Sequence, residues 1–312
     1  MSRRRPLSLL TATVLVAGLI AGPVGAARAD EELDRYLAAA GAAAYSGTQV
    51  VVTTWNGGTF ATVVDIERSG SGTVVTADNG SVTVIDDGSA HDAAGTVRIS
   101  AWSTHGTTDG YQVTAVREVT TIGRPALEVV VSEGSMRRAL LVIDEETRAA
   151  LATTVFNPDG SVFREITSTE FGRPDTDRAD VDAGPGYTMM VQAPDSDLPG
   201  DLAGYRLTDG YQDGDGVSQA YFSDGLFSFS VFQLDAPARL DRLEDAVVHE
   251  LDGHAYRVVV EPSALLVTWE ADGASYVLVG DLPPDHLDAV LRQLPTPGST
   301  GLLGRIWQGL FG

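Results

Sequence analysis

The 312 residues include no cysteine and no lysine. Without cysteine there is no disulfide framework, no thiol nucleophile and no thiolate ligand for a metal. The fold must then rest on its core, which a 43% hydrophobic composition can supply. Without lysine, arginine alone carries positive charge, and 21 basic residues face 43 acidic ones for a formal net charge of −22. Such a surface repels phosphate backbones and anionic lipid heads, which excludes nucleic acid as a partner. Long apolar runs are scarce too. The one at the N-terminus, from Leu7 to Ile20, falls short of the about 20 residues that a membrane span requires.

That run sits inside MSRRRPLSLLTATVLVAGLIAGPVGAARAD. Three arginines, an apolar stretch and the small-residue pattern Ala27-Arg28-Ala29 follow the three-part order of a secretory signal cleaved before Asp30. An exported, extracytoplasmic protein, in a periplasm or cell-wall space, is therefore expected, with a retained anchor as the competing reading. Ser2-Arg3-Arg4-Arg5 suits twin-arginine export, whereas Pro6 stands where an apolar aromatic is expected, so the general secretory route stays open beside it. Loss of residues 1–29 removes four arginines and no acid, leaving 17 basic residues against 43 acidic ones and a net charge of −26.

The mature chain opens on a helix and turns to sheet. In EELDRYLAAAGAAA, Leu33, Tyr36, Leu37 and Ala40 recur at helical spacing, with Asp30 available as a cap. From Tyr45 the period changes to two. YSGTQVVVTTW, GTFATVVDIERS, GTVVTAD, GSVTVIDD, YQVTAVREVTTI, RPALEVVVSE, RRALLVIDEE and RAALATTVFNPDGSVFREITSTEF are rich in Val and Thr and broken by turn residues. Short connections imply antiparallel neighbours, so one long curved meander is expected, with the helix on one face. Residues 172–186, dense in Asp, Pro and Gly, read as a linker. The organisation expected is a signal at 1–29, a large domain at 30–172, a linker at 173–186, a smaller domain at 187–295 and an amphipathic tail at 296–312. Within the smaller domain ARLDRLEDAV reads as helical, HAYRVVVE, ALLVTWEAD and ASYVLVGDL as strands, and PPDHLDAVLRQL as a last helix with its prolines in the first turn. Leu287, Val290, Leu291 and Leu294 form the apolar stripe of that helix.

Catalytic and metal signals are weak. HELDGH, from His249 to His254, fails the i, i+4 spacing of a zinc-protease helix because Gly253 holds the second position, and Asp252-Gly253 reads as a hairpin turn. His91, His105 and His286 lie far apart and read as solvated or capping residues. Asp213 and Asp215 suggest a calcium loop, but the closing glutamate is missing. No serine sits in a G-x-S-x-G elbow, and no nucleophile can be paired with a base. No cofactor and no metal are expected, and the protein reads as a binder rather than an enzyme.

YFSDGLFSFSVF, from Tyr221 to Phe232, together with VLVGDLPPDHLDAVLRQL at the end of the smaller domain, resembles the RseB/MucB family of sigma-factor regulatory proteins. Upstream, RRALLVIDEETRAALATTVFNPDGSVFREITSTEF is similar to that family's pair of long hairpins. The resemblance implies an α+β fold: a LolA-like antiparallel half-barrel domain, closed by helices around an apolar cavity, followed by a smaller α/β domain. It implies a non-enzymatic, exported regulator of envelope stress that binds the extracytoplasmic domain of a membrane anti-sigma factor and shields it from regulatory proteolysis. A lipid or lipoprotein ligand entering the large domain would release that partner.

On this reading Trp55, Phe60 and Trp102 are candidates for lining the cavity, although ordinary core packing explains each as well. In the strand after Asp224-Gly225, Phe227, Phe229 and Val231 are expected on one face, with Leu226, Phe232 and Leu234 on the other. Tyr221, Phe222 and Phe232 are candidates for contact with the other domain or the partner, against burial in the small domain's own core. The tail LLGRIWQGLFG gathers Leu302, Leu303, Ile306, Leu310 and Phe311 on one helical side. Its single Arg305 favours docking on its own domain over weak membrane contact, with partner engagement a third option. A LolA-type lipid or lipoprotein carrier is the alternative function. Such a carrier has no use for the second domain.

Overall fold

The computed structural model describes residues 26–69, 72–77, 82–85, 108–174, 191–192, 199–212, 217–234, 246–261 and 264–298. Trp102, His91, His105, the expected helix across 238–245, the tail from 299 and most of the expected linker and signal lie outside them. The chain is α+β, built from helix α1 (Ala26–Ala42) and strands β1 (Tyr45–Trp55), β2 (Gly58–Ser69), β3 (Gly72–Ala77), β4 (Val82–Ile85), β5 (Tyr111–Thr121), β6 (Arg124–Glu133), β7 (Met136–Asp144), β8 (Ala150–Phe156) and β9 (Val162–Ser168). These are followed by β10 (Val191–Gln192), β11 (Asp201–Leu202), β12 (Tyr205–Gln212), β13 (Val217–Ser223), β14 (Ser228–Leu234), β15 (Val247–Leu251), β16 (His254–Val260), β17 (Leu265–Ala271), β18 (Ala274–Gly280) and helix α2 (Pro284–Leu291). Among the described residues no helix is long and apolar enough to cross a membrane.

The first sheet runs β4-β3-β2-β1-β9-β8-β7-β6-β5 and is antiparallel throughout. It is not the single meander expected. β1 to β4 form one run and β5 to β9 another, and the two are joined where β1 pairs with β9, Val51 opposite Ile166. Hairpins inside each run turn on local residues: Asn56-Gly57, with φ of 48° and 77°, and Ile122-Gly123, with φ of 48° and 75°. Two successive left-handed residues match the right-handed twist of the flanking strands.

The sheet is open, with β4 and β5 at its edges, and it is strongly curved. α1 shows this: Asp34 accepts a hydrogen bond from Thr108 just before β5, while the Gly41 carbonyl accepts one from Arg68 on β2. β2 and β5 are six strand spacings apart, about 29 Å on a flat sheet, whereas seven helical residues advance only about 10 Å. One short helix touches both because the sheet bends around it as a half-barrel. α1 begins four residues before Asp30, so Asp30 lies within the helix instead of capping it. Leu33, Leu37 and Ala40 are buried, as their spacing requires.

The second sheet runs β10-β12-β13-β14-β18-β17-β16-β15, with β11 also paired to β12. It repeats the device, since β14 pairs with β18 although residues 235–273 lie between them, Val231 opposite Leu278. HELDGH is strand, turn and strand, with Asp252 at φ 51° and Gly253 at φ 83°. β14 starts at Ser228, so Leu226 and Phe227 belong to the connection, and Ser228, Phe229, Ser230 and Val231 are all buried. Both faces of the strand are therefore covered there, and the two faces do not divide into apolar and mixed. α2 buries Leu287, Val290 and Leu291, with Pro284 in its first turn. These side chains join Leu33 and Leu37 of α1, Val129, Leu141 and Phe163 of the first sheet, and Phe222, Phe229, Val267 and Leu278 of the second in one continuous core.

Candidate functional site

The two sheets meet along a polar seam, and the YFSDGLFSFSVF hairpin supplies its centre. Between β13 and β14 the Asp224 carboxylate closes the turn: Oδ1 accepts from the amides of Leu226 and Phe227 at 2.9 and 2.7 Å. Its other oxygen accepts the Tyr111 hydroxyl of β5 at 2.6 Å, across the seam. The Phe227 ring meets the Tyr111 ring edge-on at 6.1 Å. Burial pushes Asp224 up from the usual carboxylate range despite these donors, and burial beside Asp224 raises the Tyr111 phenol.

α2 presents the second group. Arg138 of β7 is 1% exposed, and its guanidinium holds Asp285 in two parallel bonds of 3.0 and 2.8 Å, with Nε on Glu133 at 2.7 Å. Asp285 is in the first turn of α2, where the helix dipole favours a negative charge. His286 bridges the sheets as well, with Nε2 at 3.0 Å from Glu133 Oε2 of β6 and Nδ1 at 2.6 Å from the Tyr205 hydroxyl of β12. Burial alone would raise Glu133, but bonds from His286 and Arg138 outweigh it and hold that carboxyl down at about 2. A carboxylate there obliges His286 to donate from Nε2, so a neutral ring accepts the Tyr205 proton at Nδ1.

A third group surrounds Trp55 at the end of β1. Its ring lies 5.3 Å from His249 of β15 and 6.2 Å from Phe163 of β9. His249 is 2.8 Å from Asp288 of α2, and Asn56 donates to the Val248 carbonyl at 3.2 Å. Alongside, buried Arg164 of β9 donates to Thr53 at 3.0 Å and to the Glu261 carbonyl at 3.2 Å. Facing Arg164 is Asp281, which burial pushes up to about 6 and whose Oδ1 is covered and without a partner. All three groups tie the first sheet to the second. Among the described residues no cluster of three His, Asp or Glu could hold a metal ion.

The residues singled out from sequence fall in different places. Trp55 is 3% exposed and committed to this seam; Phe60 is half-buried against the same core. Phe222 is fully buried, stacked on Phe229 at 5.2 Å in the shared core. Tyr221 is also buried, its carbonyl accepting from Thr208, and Phe232 packs with Ala264 and Val279 in a separate cluster. His286, read as solvated or capping, is instead a half-buried bridge, because Tyr205 and Glu133 reach it from strands distant in the chain. Sequence reasoning missed Arg138, Glu133, Tyr111 and Asp285. Their one local sign is the Pro-Asp-His start of α2, which places an acid and a base on its first turn.

No family model and no curated protein matches the chain. Among solved structures it is similar to the complex of Pseudomonas aeruginosa MucA/MucB, at 19% identity over 83% of this chain and 96% of that one, with a TM-score of 0.47. It is similar to MucB alone at 20% identity over 85% and 97%, with a TM-score of 0.46. A putative outer membrane lipoprotein-sorting protein domain from Vibrio parahaemolyticus matches at 9% identity over 82% and 91%, with a TM-score of 0.20.

Proposed function

We propose that this protein is an extracytoplasmic regulator that binds the outer domain of a membrane anti-sigma factor and shields it from regulatory proteolysis. One observation carries the reading. The segment with the family-like pattern, Tyr221 to Phe232, forms the hairpin whose Asp224 and Phe227 lock onto Tyr111 of the first sheet. A carrier needs only the half-barrel. A chain whose second sheet is pinned to the first by buried ion pairs and aromatic contacts uses the two as one body, as a regulator reading one partner with both requires.

The domain organisation belongs to the same proposal. Residues 30–172 form the half-barrel, 173–186 the linker, 187–295 the second unit and 296–312 the tail, after removal of an export signal at 1–29. Within it, a lipid or lipoprotein ligand entering the half-barrel acts as the releasing signal. Native mass spectrometry of the exported chain, paired with a protease-protection assay on the anti-sigma fragment encoded nearest its gene, tests the reading. Slower cleavage of the fragment at stoichiometric protein supports it. Unchanged cleavage together with retained lipid would replace it by a LolA-type carrier.

A further inference from the structure

We propose that the seam between the two sheets is a proton-operated latch, seating the second sheet and α2 on the first more firmly in mild acid than at neutral or alkaline pH. Acidic side chains outnumber cationic ones along the seam. Five carboxylates, Glu133, Asp224, Asp281, Asp285 and Asp288, face two guanidiniums, Arg138 and Arg164, and two imidazoles, His249 and His286. Carboxylates thus outnumber guanidiniums in the seam; Glu133, Asp285 and Asp288 keep about a third of their side chains in water, whereas Asp224 and the Oδ1 of Asp281 are covered. Each imidazole already lies against a carboxylate, at 2.8 Å for His249 and Asp288 and 3.0 Å for His286 and Glu133.

Asp281 is the pivotal member. From the first sheet it faces Arg164 of β9; from the second it faces the Ser228 amide at the start of β14, Tyr205 of β12 and the like charge of Asp224 in the β13–β14 turn. Asp224 in turn faces Tyr111 of β5, Tyr205 and His286 of α2. Glu133 faces Arg138 of β7, His286 and Tyr111. Arg164 is engaged by Thr53 and the Glu261 carbonyl, and although the Ser228 amide faces the Asp281 carboxyl, its Oδ1 is covered and has no hydrogen-bond partner. A negative charge there is costly, and protonation relieves both the burial and the repulsion from Asp224.

The signs define a window. Asp281 has its folded value raised to about 6 from 3.8, so seating strengthens as pH falls through 6. Glu133 is lowered to about 2 from 4.5, so its contribution is complete above 4.5 and is lost as pH falls toward 2. The Asp281 contribution is full below 3.8 and falls away as pH rises through 6, so the latch is tightest near pH 4, between 3.8 and 4.5, and loosens on either side.

Hydrogen exchange on the partner-free full chain tests this, so its failure is separate from failure of the binding proposal. The amides of Leu287, Val290 and Leu291 report on α2, and those of the β5–β6 hairpin at Ile122-Gly123, at the far end of β5 from Tyr111, serve as a reference outside the seam. After correction for the intrinsic rate, protection of α2 at pH 5.5 should exceed that at pH 8 by about fourfold, the factor that a folded value of about 6 allows half a unit below it, with the reference unchanged. Asp281→Asn should show the pH 5.5 protection at both values, and Asp224→Asn should move the same way. Equal α2 protection at the two values, a parallel change in the reference hairpin, or an Asp281→Asn protein with wild-type pH dependence would each overturn the latch.

Discussion

Arg138 shows what a single residue does in this fold. At 1% exposure it would be a costly buried charge, yet Glu133, Asp285 and the Phe156 carbonyl take up its donors, so the arrangement is satisfied as a set. Arg138→Met leaves Glu133 and Asp285, each about a third exposed, without their shared cation, and chemical denaturation should find a loss of about 1 to 3 kcal/mol. Asp144 makes a quieter case inside the first sheet. Burial favours its neutral form, but Arg124 and the Thr147 amide and hydroxyl hold it down at about 2. Its stabilisation, about 2 kcal/mol, is present above its unfolded value of 3.8 and fades as pH falls toward 2. Asp144→Asn should therefore lower stability at pH 7 and converge on wild type in acid titrations. Neither residue stood out in the sequence, where they are ordinary members of RRALLVIDEE; a charge becomes legible only with its partner, and those partners lie on other elements.

At the scale of elements, the strands were legible because Val and Thr repeat with period two and the turns carry their own signatures. Ile122 breaks that rule. It occupies a left-handed position, φ 48°, that Asn fills at the corresponding point of the β1–β2 turn, and it is 41% exposed with little packing to lose. Ile122→Asn should stabilise the β5–β6 hairpin by about 1 kcal/mol in thermal unfolding, since β-branched side chains crowd the backbone there. Gly280 carries the opposite constraint. A Cβ at that position would stand 2.5 Å from Phe229 Cβ and 2.7 Å from the Ser228 carbonyl, so β14 and β18 can approach only because the site is bare. Gly280→Ala should cost about 1 to 3 kcal/mol as overpacking, measured by urea titration. The pairing of β1 with β9 and of β14 with β18 left no sign in the sequence. Local patterns specify strands and hairpins; they do not say which free edge meets which, because that choice is made by contacts distant along the chain.

For the whole molecule, two open sheets share one core and a polar seam, and every function considered must use that body. The apolar stripe of α2 and the aromatic hairpin before β14 were both readable in advance, but their meeting with the first sheet was not. Trp55 shows why: an inward-facing aromatic on a curved sheet suggests a cavity wall, whereas its neighbour His249 comes from the other sheet, about 190 residues later. The central claim is that the assembled body grips an extracytoplasmic anti-sigma segment. A calorimetric titration of residues 30–312 with the outer fragment of the anti-sigma factor encoded nearest the gene tests it most directly. Saturable one-site binding at micromolar affinity or tighter, about −8 kcal/mol or better, is the result predicted, weakened at least tenfold in Arg138→Met under conditions where that variant remains folded. No heat of binding at any ratio, from a chain whose exchange pattern shows both sheets intact, would contradict it.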